Sequence, residues 1–200
     1  MSSWLEEAER RSSLRQMQGQ SERLQVRIDR IRENYERNRE VYDKFIAGLK
    51  NLVMRANNLP PEFRVPFGKI SIKTKPTRLQ NHLVIFSSSQ RLRKRKENDF
   101  WSWIFPAHFK HIRVVFLSVS KHPDQVDLEI KEAMLEKRRL RLEERRNTNP
   151  GKPSRDHTDL VIHISMQELN NNLADKLLDF LAFKCELKDI PIDLNQATFY

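Results

Sequence analysis

Apolar positions along the chain follow two rhythms, and the change from one to the other divides it. Leu14, Met17, Ser21, Leu24, Ile28, Ile31, Tyr35, Asn38, Tyr42, Phe45, Leu49, Leu52 and Ala56 are spaced by alternating threes and fours, which places them on one face of a helix. With Leu14, Ile28, Tyr35, Tyr42 and Leu49 at a and Met17, Leu24, Ile31, Phe45 and Leu52 at d, the spacing is a coiled-coil register. About 43 residues in this register form a seam about 65 Å long. Helix formers dominate the segment and no proline interrupts it before Asn57. Ser3 and Glu6 have capping-box spacing at its start.

Beyond about Glu40 the stripe broadens, as Val41, Ile46, Val53 and Met54 join it. A narrow seam suits a partner helix, whereas a wide one suits a domain surface. The pattern therefore predicts a distal half that pairs through Leu14, Met17, Leu24, Ile28, Ile31 and Tyr35, and a proximal half docked on the chain's own domain. In a parallel homodimer Arg27 and Arg32 would face each other as like charges, each such pair costing about a few tenths of a kcal/mol. An antiparallel pairing or a more acidic foreign helix fits better. The expected partner is thus another coiled-coil protein or a second copy, with intramolecular fold-back as the bland alternative.

Pro60, Pro61 and Pro66 end the helical pattern, since proline lacks the backbone donor and restricts its predecessor. This gives a helical arm over 1–57, a linker over 58–66 and a compact basic domain over 67–200. Within that domain the rhythm becomes two. Ile70 and Ile72 alternate with Lys69, Ser71 and Lys73, and "NHLVIFSS", "HIRVVFLSVS" and "DLVIHISM" read as three further strands. Pro123 and Asp124 look like the opening of a helix to about Arg146, with Val126, Ile130, Ala133, Met134 and Leu135 inward. Ser165 and Glu168 have capping-box spacing before Leu169, Leu173, Leu177, Leu178 and Leu181. The expected class is α+β (mixed α/β): a long coiled-coil-type helix, then a small mixed sheet of about four strands with helices packed on it.

Charge adds a second theme. Lys and Arg number 37 against 27 Asp and Glu, a formal net charge of +10, which favours acidic partners, anionic surfaces or nucleic acid. Arg91, Arg93, Lys94, Arg95 and Lys96 crowd six positions, and Lys69, Lys73, Lys75 and Arg78 belong to the neighbouring hairpin. Together they form a candidate polyanion surface, and nucleic acid is the second candidate partner. Trp101, Trp103 and Phe105 follow at once and could stack on bases, although burial at a core or interface explains them without a ligand. The basic run Lys137 to Arg146 is interleaved with Glu136, Glu143 and Glu144 and reads as a solvated helix face.

Catalytic motifs are weak. Pro123, Asp124, Glu129 and Lys131 spell a metal-nuclease pattern, but on a single helix they could not converge on one ion. His163 and Ser165 make half of a two-histidine phosphoesterase signature whose other half is missing. His108 and His111 lack further ligands for a metal, Asp156 and His157 lack a nucleophile, and Cys185 follows an apolar helix face where a thiol is inert. Four glycines leave no phosphate loop. No enzyme activity, metal or cofactor is expected. The lone cysteine and the absence of a signal or spanning segment point to an intracellular protein, nuclear if the source is eukaryotic.

Overall fold

The computed structural model describes residues 3–94, 107–136, 157–192 and 198–199. A 56-residue helix, α1 (Ser3–Asn58), precedes β1 (Ser71–Thr74), β2 (Val84–Lys94), β3 (Ala107–Val119), β4 (Gln125–Glu136), β5 (His157–Ser165), α2 (Asn171–Leu181) and β6 (Thr198–Phe199). The strands form one sheet in sequence order, antiparallel at every pairing. Both helices pack together on one face of it. The class is α+β, with a long amino-terminal helix on an antiparallel sheet.

The expected helix over 123–146 is corrected: its described part is strand β4. Val126, Leu128 and Ile130 alternate with Asp127, Glu129 and Lys131, and the first three are buried to within 1% while the others are half-buried. That is a period of two, and the apolar cluster at Ala133 to Leu135 imitated a helical stripe. Pro123 and Asp124 belong to the β3–β4 turn, where Asp124 adopts a left-handed φ of 57°, which aspartate tolerates better than most residues. With a strand in that place every neighbour is reached by an antiparallel connection, so the sheet is not mixed. The remainder of the expected helix, residues 137–146, lies outside the described residues.

Ser165 and Glu168 do form a capping box, but around a single 3-10 turn. The Gln167 amide donates to Ser165 Oγ and the Ser165 amide to Glu168. The helix proper starts later, capped by Asn170, whose Oδ1 accepts from the Leu173 amide at 2.9 Å. Leu173, Leu177 and Leu181 then face the sheet, fully buried.

The core draws on three sources. Ile31, Tyr42, Phe45, Ile46, Leu49 and Val53 come from α1; Val84, Phe86, Val115, Leu117, Leu128 and Ile162 are among those from the sheet; α2 adds its leucines and Phe180. Asn57, at the end of α1, clamps the returning chain by bonding both backbone groups of Ile70, at 2.8 and 2.9 Å. Tyr42 fixes the helix on the sheet by donating from its hydroxyl to the carbonyls of His82 (2.8 Å) and Leu117 (3.3 Å). Burial raises its phenol pKa well above the ordinary value, so the hydroxyl stays a donor throughout the working pH range. Tyr42→Phe keeps the ring and removes the one hydroxyl proton that the two carbonyls share, and it should cost about 1 to 1.5 kcal/mol in urea unfolding. A loss below about 0.3 kcal/mol would show that the hydroxyl does not hold the helix.

Candidate functional site

The helical seam divides earlier than its sequence implies. Leu14, Met17 and Leu24 are 43–68% exposed, and Ile28 is half-buried. Ile31 is 2% exposed. Tyr35 stacks on His82 with ring centroids 3.5 Å apart and donates to the Asp43 carboxylate. Ile31 and Tyr35 thus serve the chain's own domain and leave the expected partner seam, whereas Val41 and Met54, expected inside, are 44% and 50% exposed. Residues 3–27, about 37 Å of helix, precede the first docked turn.

The first polar anchor of the docked part is Asn34, which is 3% exposed. Its Nδ2 lies 2.8–3.0 Å from the carbonyls of Ser120, His122 and Gln125, and its Oδ1 accepts from the Asp124 amide at 2.9 Å and from Asn38 at 3.0 Å. Asn38 reaches on to the Asp124 carboxylate at 2.9 Å. One side chain therefore bonds four backbone groups of the β3–β4 turn. Its sequence signal was a pair of asparagines on an otherwise apolar face.

A second polar cluster lies between the sheet and α2. Arg113, 7% exposed, donates from Nε to Glu132 at 2.8 Å and from Nη1 to the carbonyls of Phe180 (2.9 Å) and Cys185 (2.8 Å). Its guanidinium lies 4.3 Å from the centroid of the Phe180 ring and 4.8 Å from that of Phe183. His111 bonds Glu132 through Nε2 at 2.6 Å and Gln90 through Nδ1 at 3.1 Å. Burial alone would raise the Glu132 carboxyl pKa, but hydrogen bonds from His111 and Arg113 outweigh it and hold the pKa below the usual value. The cluster closes α2: Lys184 N–H bonds Asp179 C=O and Phe183 N–H bonds Phe180 C=O, with Phe183 at a φ of 59° where glycine is usual.

The catalytic candidates do not converge. Lys131 bonds Glu129 (2.7 Å) and Asp159 (3.3 Å) on the sheet face away from the helices. Asp124 sits instead at the turn, near Arg37 at 3.8 Å and bound by Asn38. His163 is exposed and bonds Asp127 across the strands at 2.7 Å, with His122 edge-on at 5.6 Å. His111 is committed to Glu132. Cys185 lies just past α2, half-buried, its thiol pKa raised by burial and by Asp179. Among the described residues no cluster of three potential ligands could hold a metal ion. No helix among them is long and apolar enough to cross a membrane.

The basic residues form a track, not a compact cluster. Alternation puts Lys73, Ser87, Arg91, Arg93 and Lys110 on the sheet face opposite the helices. Lys73 pairs with Ile85, six residues from Arg91, a separation of about 20 Å along the strand. Lys75 and Arg78 lie in the β1–β2 connection at one end, and Lys69 precedes β1 toward the other. Lys69, Lys73, Lys75, Arg78, Arg91 and Arg93 are all exposed. Arg95, Lys96 and the aromatics Trp101, Trp103 and Phe105 lie outside the described residues, as does the side chain of Lys94.

Comparisons of the chain with protein-family models, with curated proteins and with solved structures give no match.

Proposed function

We propose that the protein is a non-catalytic assembly subunit that pairs through the distal part of α1 and presents its basic sheet face to a second partner. The observation that carries this reading is the run of exposed Leu14, Met17 and Leu24 on one face of a helix whose other half is already docked. Side chains of this size stabilise by about 1.5 to 3 kcal/mol each on full burial. The partly buried Ile28 continues the same stripe, so a second helix would find an apolar seam interrupted at Ser21. The partner is another coiled-coil chain or a second copy, and the reading calls for no cofactor.

The test is sedimentation of the full chain and of a Leu14→Asp/Leu24→Asp variant over a wide concentration range. The parent should self-associate and the variant should be monomeric with unchanged urea stability of the domain. If the parent stays monomeric, a foreign helix is required. If the variant loses domain stability instead, the distal helix serves the fold and the reading fails.

A second reading is favoured by the exposed cations on β1, β2 and their connection: a nucleic-acid-binding protein whose phosphate contacts run along the track, with α1 setting the oligomeric state. Affinity for single-stranded DNA should then fall steeply with salt. Neutralising Arg91 and Arg93 should flatten that slope.

A further inference from the structure

We infer that the free edge of β2, Ser88 to Arg93, is a docking site for an extended acidic segment of a partner protein, added to the sheet as another strand. β2 has eleven residues, but β1 pairs only with Val84 to Ser87. Beyond Ser87 the strand continues, paired among the described strands with β3 alone, as far as Lys94↔Ala107. No backbone hydrogen bond from another described segment reaches this edge. Alternate residues along it therefore direct both backbone groups away from β3, which is the template that strand addition uses.

The side chains select the occupant. Ser89, Arg91 and Arg93 point to the open face, and Lys110 stands beside Arg91 on β3. Among the described residues no carboxylate pairs with Arg91, Arg93 or Lys110. Gln90 and Leu92 point the other way, both half-buried. An incoming strand with carboxylates on one face and apolar residues on the other would match both sides, each cross-strand pair adding to the backbone ladder. A second copy fits badly, because edge-to-edge pairing of the free stretch brings Arg91 and Arg93 of both copies onto one face, and like charges directly opposite destabilise. Charges at an edge also discourage aggregation, so the choice between a guarded edge and a receiving one falls to binding.

The inference rests on the assembly reading for the sheet, not on the pairing of α1. The probe is a seven-residue peptide alternating valine and glutamate, added to the full isotope-labelled chain, with amide exchange and chemical shifts read by NMR. Its controls are the same peptide N-methylated at alternate amides, and oligothymidylate. Binding should slow exchange at alternate amides between Ser88 and Arg93. N-methylation should weaken it at least tenfold, and so should Arg91→Glu/Arg93→Glu, a variant that keeps the edge charged and should instead take the valine–lysine peptide.

Equal binding of the N-methylated peptide would reduce the site to a simple polyanion surface and overturn the inference. So would absence of peptide binding at millimolar concentration, or shifts at Arg91 and Arg93 caused by oligothymidylate alone. In any of these cases the sedimentation result for α1 still stands or falls on its own.

Discussion

Asn34→Asp should destabilise the protein by about 3 to 5 kcal/mol although it changes one amide nitrogen for an oxygen. The Asn34 Nδ2 group has two hydrogens and three carbonyl neighbours within 3.0 Å, so one hydrogen is shared. The Gln125 carbonyl also accepts from the Ser120 amide at 3.2 Å, so the Ser120 and His122 carbonyls depend on Asn34 most. A carboxylate there would present negative charge to three acceptors in a site that is 3% exposed. Its other oxygen could still accept from the Asp124 amide and from Asn38. The penalty combines acceptors left unpaired, about 1 to 3 kcal/mol for a buried group, with the cost of an unpaired buried charge. Asn34→Ala should cost less, about 2 to 3 kcal/mol, because the exposed His122 and Asp124 let water reach part of the turn. Equilibrium urea unfolding of both variants decides it. If the alanine variant is the less stable of the two, the amide donor is not what holds the turn.

The same pair of variants tests where docking begins. Asn34 lies one helical turn from Ile31, and among the described side chains of α1 the other buried polar group is the Tyr42 hydroxyl. If Asn34 is the anchor, its loss should release the first docked turns and raise amide exchange there, while exchange around Leu49 and Val53 stays slow. That would lengthen the free arm without unfolding the domain.

How much of this was legible follows from which physical signal each element carries. The long helix and strands β1, β2, β3 and β5 announce themselves by periodicity alone, and the α+β class follows. β4 was missed because Val126 and Ile130 are also four residues apart, so the same letters satisfy both periods until Leu128 is given its due weight. The point along the helix where docking starts was misplaced because an a/d seam records which face is apolar and not what covers it. Ile31 and Tyr35 look the same whether they meet a partner helix or His82 of the same chain. The two polar clusters were illegible for a different reason. Asn34 and Arg113 act through backbone carbonyls of Ser120, His122, Phe180 and Cys185, and a carbonyl leaves no mark in a sequence. For Arg113 the available hint was the break that His111 and Arg113 make in an otherwise apolar strand.

Arg113→Leu should remove about 3 to 5 kcal/mol at neutral pH, because it leaves Glu132 buried without its guanidinium and frees the closing turn of α2. The Glu132 side chain is 25% exposed and that of Arg113 is 8% exposed, so solvent screens the pair little. The pH dependence separates these losses. In the parent the Glu132 pKa is depressed, so its contribution is complete above the unfolded value of about 4.3 and is lost as pH falls through the lower folded value. In the variant only His111 still bonds Glu132, its pKa rises, and acidification neutralises an unfavourable charge. The stability gap between parent and variant should therefore be widest near pH 7 and narrow steadily below about pH 5. Adding Glu132→Leu to Arg113→Leu should recover about 1 to 2 kcal/mol, since removing both partners costs less than stranding one. Recovery should stay incomplete, as the Cys185 carbonyl loses its donor, the Phe180 carbonyl keeps only the Phe183 amide, and Phe183 keeps its left-handed backbone. A gap that does not change with pH would mean that Arg113 acts only as the cap of α2 and that its pairing with Glu132 adds nothing.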